Sequence, residues 1–505
     1  MLYHDAVSEG PSLGTQVNRG VAWAAVAQTV IAVSDGISQM VVFALLITAD
    51  DLGIAQAAMA YYVLLDYAAD FGITSAIIQR DDLTEERIST VFWFNMIVSG
   101  SLFALLWIIG PLYGWVLGNA TIGWLLVAYG GKLVFQNVYA IPFALLRKEL
   151  KFADIAKARI AAHLLESVAR VVFAALGATI WCWVLAALVR STTFGLIIQI
   201  RHPFIPKLVF KPREIIPHIK FGLRSAASQI LYQFYTNIDY SIVTYAFGTQ
   251  ANGIYSLAYM IVLEPVKTIA NVVIDVAFPA FARMRNDRPQ LIKQFIAFTR
   301  LNLIAVLPYV VVVMLIIPEA LHLFLSQGRF TYDEIELCAT ACRMLCLVGL
   351  LRAVGFIGPP LLDGIGRPDL TLRYMVSASI VVPSMILIGA FALGPYFTTE
   401  SETNGLLSVA IAWAVGYPLA FGVLGWIVIR TIELPVLEYL KASWGMVGCC
   451  AAGAAAGLGV SIALRGMPDL VRMVAIGGVA LGVILVLVVT WQKITPRSIK
   501  ASLEG

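Results

Sequence analysis

Apolar stretches of about 20 residues follow one another along the whole chain, separated by short polar or Gly/Pro-containing breaks. A helix of roughly that length crosses a bilayer core while satisfying its own backbone polar groups. The pattern predicts fourteen spans, at 21–47, 53–78, 91–116, 122–145, 156–177, 181–200, 222–246, 254–278, 298–325, 336–361, 371–393, 404–429, 440–463 and 471–490. The last two are rich in Ala and Gly, a composition that also suits a merged or re-entrant pair.

A pattern returns at an offset of 200 residues. Leu52-Gly53-Ile54 opens the second span and Asn252-Gly253-Ile254 the eighth; Ala58 matches Ala258, and a mid-span carboxylate follows in each, Asp66 and Glu264. This predicts a six-span unit used twice in the same orientation. The organisation expected is an N-lobe at 21–200 and a C-lobe at 222–429, with a tail at 1–20, a linker at 201–221, an added helix pair at 430–492 and a second tail at 493–505. The fold class is an all-α polytopic membrane protein of about fourteen transmembrane helices. The linker mixes Lys207 and Lys211 with Pro203, Pro206, Phe204, Ile205, Leu208 and Phe210. It reads as a segment lying on the membrane surface, its Lys/Arg meeting anionic lipid, or as an ordinary connector.

Composition narrows the choice. The 505 residues are 60% hydrophobic and 13% charged, with a mean hydropathy of +0.84. Soluble proteins carry about 45–50% apolar and about 25% charged residues, so a soluble enzyme, a nucleic-acid-binding domain and a disordered scaffold are excluded. The net charge of +4 is no sign of a nucleic-acid partner. With the N-terminus in the cytoplasm, 25 of the 35 basic residues fall in inward loops and tails and three fall outside, Arg329, Arg465 and Arg472. That bias follows the positive-inside rule and puts both termini in the cytoplasm. The first twenty residues read as a polar tail and not as a signal peptide. Cys338, Cys342 and Cys346 recur on one helix face and read as packing residues, with no disulfide framework and no metal partners nearby.

Seven basic residues remain inside the spans: Lys132, Arg170, Arg190, Lys267, Arg300, Arg343 and Arg352. Nine acids join them: Asp35, Asp66, Asp70, Glu166, Asp239, Glu264, Asp275, Glu319 and Asp363. Each charge at the bilayer centre costs about 2.5–3.5 kcal/mol, which predicts a hydrated interior with some charges paired. Arg159, His163, Glu166 and Arg170 share one face of the fifth span, and Glu264, Lys267, Asn271 and Asp275 one face of the eighth. The seventh carries Gln229, Gln233 and Asn237, with Asp239 off that line. Such stripes serve structure, as Arg170–Glu166 and Lys267–Glu264 pairs, or line a cavity. A cavity of both signs suits an anionic amphiphile, with Lys and Arg on phosphate and a buried carboxylate taking up a proton or sodium ion. His163 beside Glu166 reads as a hydrogen-bonded structural residue or a proton relay.

Enzyme motifs are missing. Gly130-Gly131-Lys132 lacks the upstream glycine and following Ser/Thr of a P-loop, and no metal motif or nucleophile elbow appears. No catalytic residue, metal or cofactor is expected beyond a coupling H+ or Na+.

Four stretches carry a family resemblance. They are 70–86 with 90–95 (Asp70-Phe71-Gly72 through Gln79-Arg80-Asp81-Asp82, then Trp93-Phe94-Asn95), 142–152, Asn237-Ile238-Asp239, and 253–259 leading to Phe278-Pro279-Ala280. Together they resemble bacterial polysaccharide exporters, the Wzx-like oligosaccharide flippases of the multidrug/oligosaccharidyl-lipid/polysaccharide superfamily, in the colanic-acid-exporter-like branch. The resemblance covers about residues 15–430. It implies two six-helix bundles around a central cavity plus a terminal pair, in the bacterial inner membrane. It also implies translocation of an undecaprenyl-diphosphate-linked oligosaccharide by cation-coupled alternating access, among membrane lipids and beside a glycan polymerase and export machinery. Depth and spacing nominate Lys132, Arg170, Arg190, Lys267, Arg343, Gln233 and Asn237 for the substrate, and Asp35, Asp66, Asp70, Asp239 and Glu264 for the coupling ion. The rivals are a drug/cation antiporter and a lipid II flippase of the same superfamily, and a membrane glycan polymerase or ligase.

Overall fold

Helix ends in this protein are set by capping side chains as much as by the edges of apolar runs. Thr84, Asn119, Asp287 and Thr331 each accept a hydrogen bond from a backbone N–H of the turn they open, which satisfies donors that the helix itself leaves free. Thr331 and Glu334 close a reciprocal capping box. Helices that the apolar pattern starts at 91, 298 and 336 therefore begin at Glu85, Arg288 and Tyr332.

The computed structural model describes residues 13–70, 84–149, 151–212 and 216–492. In chain order the helices are α1 (Leu13–Val41), α2 (Ala49–Asp70), α3 (Glu85–Val116), α4 (Ala120–Lys148), α5 (Phe152–Ala175) and α6 (Cys182–Arg201). The segment Ile216–Arg283 is one continuous run apart from Gly248, whose φ of 85° and ψ of 173° break it into α7 (216–247) and α8 (249–283). Only glycine adopts that conformation without strain. Then come α9 (Arg288–Leu325), α10 (Tyr332–Gly355), the short α11 (Gly358–Gly364), α12 (Pro368–Ile388), the short α13 (Gly394–Phe397), α14 (Leu406–Ile432), α15 (Val436–Ala463) and α16 (Asp469–Thr490).

The expected spans lie over helical segments wherever the residues are described, the tenth running across the break between α10 and α11 and the second ending outside the described residues. Among the described residues ten helical stretches are long and apolar enough to cross a membrane, Ala227–Arg283 counted as one. Helices α2, α4 and α5 are not among them. Asp66 interrupts the first, Lys132, Gln136 and Asn137 the second, and His163, Glu166 and Arg170 the third. Charge also sits on helices that do qualify, as Arg190 on α6, Glu264 and Lys267 on α8 and Arg343 on α10.

The chain forms two compact units. The N-unit takes 1–47 and 61–230, the C-unit 48–60 and 231–505, so α2 contributes to both. In the N-unit α3 packs on α4, α5 on α6, α1 on α5 and α4 on α6. In the C-unit α10 packs between α9 and α14, α12 packs on α14, and α15 and α16 pair with each other and with α9. The cysteines of α10 are buried packing residues facing α8: Cys338 Sγ donates to the Ile254 carbonyl at 3.8 Å and Cys342 Sγ to the Ala258 carbonyl at 4.0 Å.

The two Gly-Ile turns spaced 200 residues apart meet inside the C-unit. Asn252 Nδ2 donates to the Gly53 carbonyl at 2.8 Å. A Cβ on Gly53 would strike the carbonyl of Thr249, and one on Gly253 the carbonyl of Ala49. The contact is reciprocal, and only hydrogen-sized side chains permit it.

Candidate functional site

A cavity of about 450 Å³ opens in the N-unit, lined by α2, α4, α5 and α6. That volume lies in the range of small-molecule sites, about 300–1,000 Å³. Helix α4 supplies Lys132, Gln136, Tyr139, Phe143 and Arg147, a set stepping three or four residues at a time along one face. Helix α5 adds Arg159 and His163, α6 adds Arg190, Ser191 and Phe194, and α2 adds Asp66 and Tyr67. Four basic side chains, Lys132, Arg147, Arg159 and Arg190, thus face one carboxylate, Asp66, with His163 beside them.

The cations are held in different ways. Lys132 is buried with its Nζ 5.0 Å from the centre of the Tyr62 ring, and Tyr62 donates its hydroxyl to Asp66 at 3.0 Å. Among the described residues no carboxylate lies within ion-pair distance of Lys132. Arg147 and Arg159 both stack on Phe143, at 5.7 and 5.8 Å. Arg190 lines the cavity and also donates to Glu166 Oε2 at 3.1 Å.

Behind Arg190 lies a buried ionic cluster. Glu166 is shared between Arg190 and Arg170, whose Nη2 is 3.4 Å from Oε1. Arg170 also donates to Ser38 at 2.9 Å, approaches Asp35 at 3.8 Å and lies over the Trp183 ring at 5.0 Å. Asp35 accepts from Ser167 at 3.0 Å. His163 Nδ1 sits 3.4 Å from Asp35 and 3.4 Å from Glu166. Two carboxylates therefore face two guanidinium groups, with the His163 imidazole between the carboxylates. The donor atoms of Asp35, His163 and Glu166 lie within 4.8 Å of one another. With both arginines already on the carboxylates, the set is poorly matched to a metal ion.

The expected site residues are thus sorted by the fold. Lys132, Arg190 and Asp66 meet on one cavity wall. Arg170, expected at the substrate, is buried behind that wall because its ionic partners Glu166 and Asp35 are there. Asp35 is half-buried in the same cluster. The side chain of Asp70 lies outside the described residues.

The remaining expected residues belong to the C-unit. Asn237 Nδ2 donates to the Gln233 carbonyl at 2.8 Å and to its side-chain oxygen at 3.2 Å. Lys267 pairs with Glu264 at 3.6 Å and lies 6.0 Å from the Tyr232 ring. Asp239 is fully buried and accepts from Tyr255 Oη, Trp413 Nε1 and the Tyr240 N–H at 2.7, 3.0 and 3.0 Å. The other face of this network is Arg352, which stacks 4.6 Å from the Trp413 ring and donates to Tyr259 at 2.9 Å. Asp239 and Asp35, both expected to hold the coupling ion, therefore have unlike surroundings, one accepting from neutral donors and one facing charge. Arg343 lines a separate cavity of about 710 Å³ between α9, α10, α15 and α16.

Arg147 lies beyond the expected fourth span and Arg159 on the polar face of the fifth, neither nominated for the substrate, yet they complete the N-unit cavity. The signal that finds them is their spacing from Lys132 and His163 along α4 and α5. Phe143, Tyr139 and Phe194 carry no signal in a chain this rich in aromatic residues.

The family described as polysaccharide biosynthesis protein matches residues 42–329, more than half of the chain. The chain belongs to that family. It is 26% identical over 393 residues to the lipopolysaccharide biosynthesis protein WzxC of Escherichia coli, covering 75% of this chain and 77% of the relative. It is 22% identical over 443 residues to the succinoglycan biosynthesis transport protein ExoT of Rhizobium meliloti, covering 85% and 83%. This polysaccharide biosynthesis family member also shares its fold with solved transporters. The lipid II flippase MurJ in an inward closed conformation superposes with a TM-score of 0.72 at 14% identity, over 94% of this chain and 98% of that one. An inward-facing MATE family multidrug resistance transporter of the MOP superfamily gives 0.61 at 18% identity, over 82% and 98%. The protein is a multi-pass membrane protein of this transporter fold.

Proposed function

We propose that the protein is a flippase that moves a lipid-linked oligosaccharide, carried on undecaprenyl diphosphate, across the bacterial inner membrane by alternating access, with both termini cytoplasmic. The observation that carries this reading is the N-unit cavity, where four cations and an aromatic wall face one carboxylate. Lys132, Arg147, Arg159 and Arg190 suit a diphosphate, which spreads its charge over several oxygens and favours guanidinium and ammonium donors together. Tyr67, Tyr139 and Phe194 offer flat apolar surface for sugar rings. The relatives' roles in polysaccharide biosynthesis and transport support the substrate class.

The protein performs no catalysis in this reading. Coupling rests on Arg190, which touches both the cavity and Glu166. A phosphate in the cavity competes for that guanidinium. Glu166 then keeps Arg170 and His163 as neighbours. Anion binding in the cavity and the arrangement of the cluster behind it are therefore coupled, and by linkage the effect runs both ways. Asp35 and Asp66 tune this cluster, whereas Asp239 and Arg352 brace the C-unit. A cationic drug is poorly matched to a cavity of this sign, which disfavours the antiporter reading.

The test is transport. Purified protein in liposomes should move undecaprenyl-diphosphate-linked oligosaccharide between leaflets without ATP, and inorganic pyrophosphate should inhibit. No movement of any glycan lipid in a panel, or release of a polymer by the purified protein, would reject the flippase.

A further inference from the structure

The segment 202–212, between α6 and α7, has the reverse of a soluble linker's polarity. Its lysines are paired with the protein while Ile205 and Leu208 point away from it. Lys207 Nζ is 2.5 Å from Glu85 and Lys211 Nζ 2.6 Å from Glu86, both on the first turn of α3. The backbone is tied to the turns that follow. Lys207 N–H donates to Ser89 Oγ at 3.0 Å, Lys211 N–H to Thr90 Oγ1 at 3.3 Å, and Trp93 Nε1 to the Lys207 carbonyl at 2.8 Å. Phe204 turns inward onto Phe92, with ring centres 6.1 Å apart, and Gln199 donates to its carbonyl at 2.6 Å.

Against that clamped inner face, Ile205 is 87% and Leu208 90% exposed, and they continue the exposed apolar face of α6 that ends at Ile200, 76% exposed. Strapping polar groups inward at the cost of presenting Ile and Leu makes no sense in water, where apolar surface is what folding removes. It makes sense where the surroundings are apolar and backbone donors must find partners within the protein. We infer that segment 202–212 is a lipid-interface anchor, with Ile205 and Leu208 inserted among the acyl chains just below the headgroups. The strap is held in place by α3 and not by attraction to anionic lipid. Lys207 and Lys211, expected from their charge to meet lipid headgroups, are occupied by Glu85 and Glu86.

Depth-resolved fluorescence tests this on the full chain in liposomes. The described cysteines are all buried, so Ile205→Cys and Leu208→Cys can each carry an environment-sensitive fluorophore, with Glu402→Cys in an exposed loop as the aqueous reference. The labels at 205 and 208 should emit further to the blue than that at 402, and shallow nitroxide-bearing lipids should quench them by about twofold or more. Quenching should be equal on phosphatidylcholine and phosphatidylglycerol liposomes and unchanged by high salt. Water-like emission without lipid quenching at both positions would overturn the anchor, a protein-docking face included. Quenching that collapses in salt or needs phosphatidylglycerol would overturn the clamp and restore charge attraction. Glu85→Lys with Glu86→Lys should reduce quenching, and adding Lys207→Glu with Lys211→Glu should restore it. Unaltered quenching in the first pair would also overturn the clamp.

Discussion

Arg190 and Arg170 reach the same carboxylate from two sides, yet they have different work. Arg190 is partly exposed on the cavity, while Arg170 is buried among Glu166, Asp35 and Ser38. Removing one partner of a buried ionic network strands the other charges at a cost of about 3–5 kcal/mol. Arg170→Met should therefore lower the thermal unfolding midpoint in detergent markedly. Lys132 lies over the Tyr62 ring, and among the described residues no carboxylate is within ion-pair distance of it. Lys132→Ala should leave unfolding nearly unchanged while weakening substrate binding. One lost charged hydrogen bond is worth about 1.5–3 kcal/mol, or roughly 10- to 100-fold in affinity. Equal loss of stability in both variants would show that Lys132 too is a structural residue.

Helices supply the second scale. The close crossing of α2 and α8 depends on Gly53 and Gly253, and overpacking of this kind costs about 1–3 kcal/mol. Gly253→Ala should lower the unfolding midpoint, whereas Gly425→Ala on α14, where a Cβ would meet nothing within 4 Å, should not. The recurrence of Gly-Ile at an offset of 200 residues was legible in the sequence. That the two copies would touch was not, because contact between segments so distant in the chain is a property of packing. The helix starts at Glu85, Arg288 and Tyr332 were equally hidden from hydropathy, since caps of Thr84, Asp287 and Thr331 extend the helices past the apolar runs. Capping residues carry that information, and a hydropathy reading passes over them.

For the molecule as a whole, Arg190 links cavity and cluster, since it lines the one and pairs with Glu166 in the other. Glu166 keeps Arg170 and His163 as neighbours when an anion draws Arg190 away. Arg190→Gln should therefore weaken substrate binding by roughly 10- to 100-fold, the loss of one charged hydrogen bond of about 1.5–3 kcal/mol, measured by titrating lipid-linked oligosaccharide into the reconstituted protein. Unchanged affinity in Arg190→Gln would remove Arg190 from the substrate site.

Hydropathy and the placement of charge by themselves determined that this is an all-helical membrane protein, which stretches form the middles of its helices, and that charges too costly to face lipid collect inside it. Those conclusions follow from one-dimensional quantities, the length of apolar runs and the cost of burying charge. Which charges stand together was decided by tertiary structure alone. Stripe positions on α4, α5 and α6 are equivalent along each helix, and only their mutual rotation puts Lys132, Arg147, Arg159 and Arg190 on one wall. The same rotation turns Arg170 behind that wall, while the packing of α9, α10, α15 and α16 leaves Arg343 in a cavity of the C-unit. The seating of segment 202–212 on α3 sends Lys207 and Lys211 to Glu85 and Glu86, so that residues read as lipid-seeking charge become the fastening of an apolar strap.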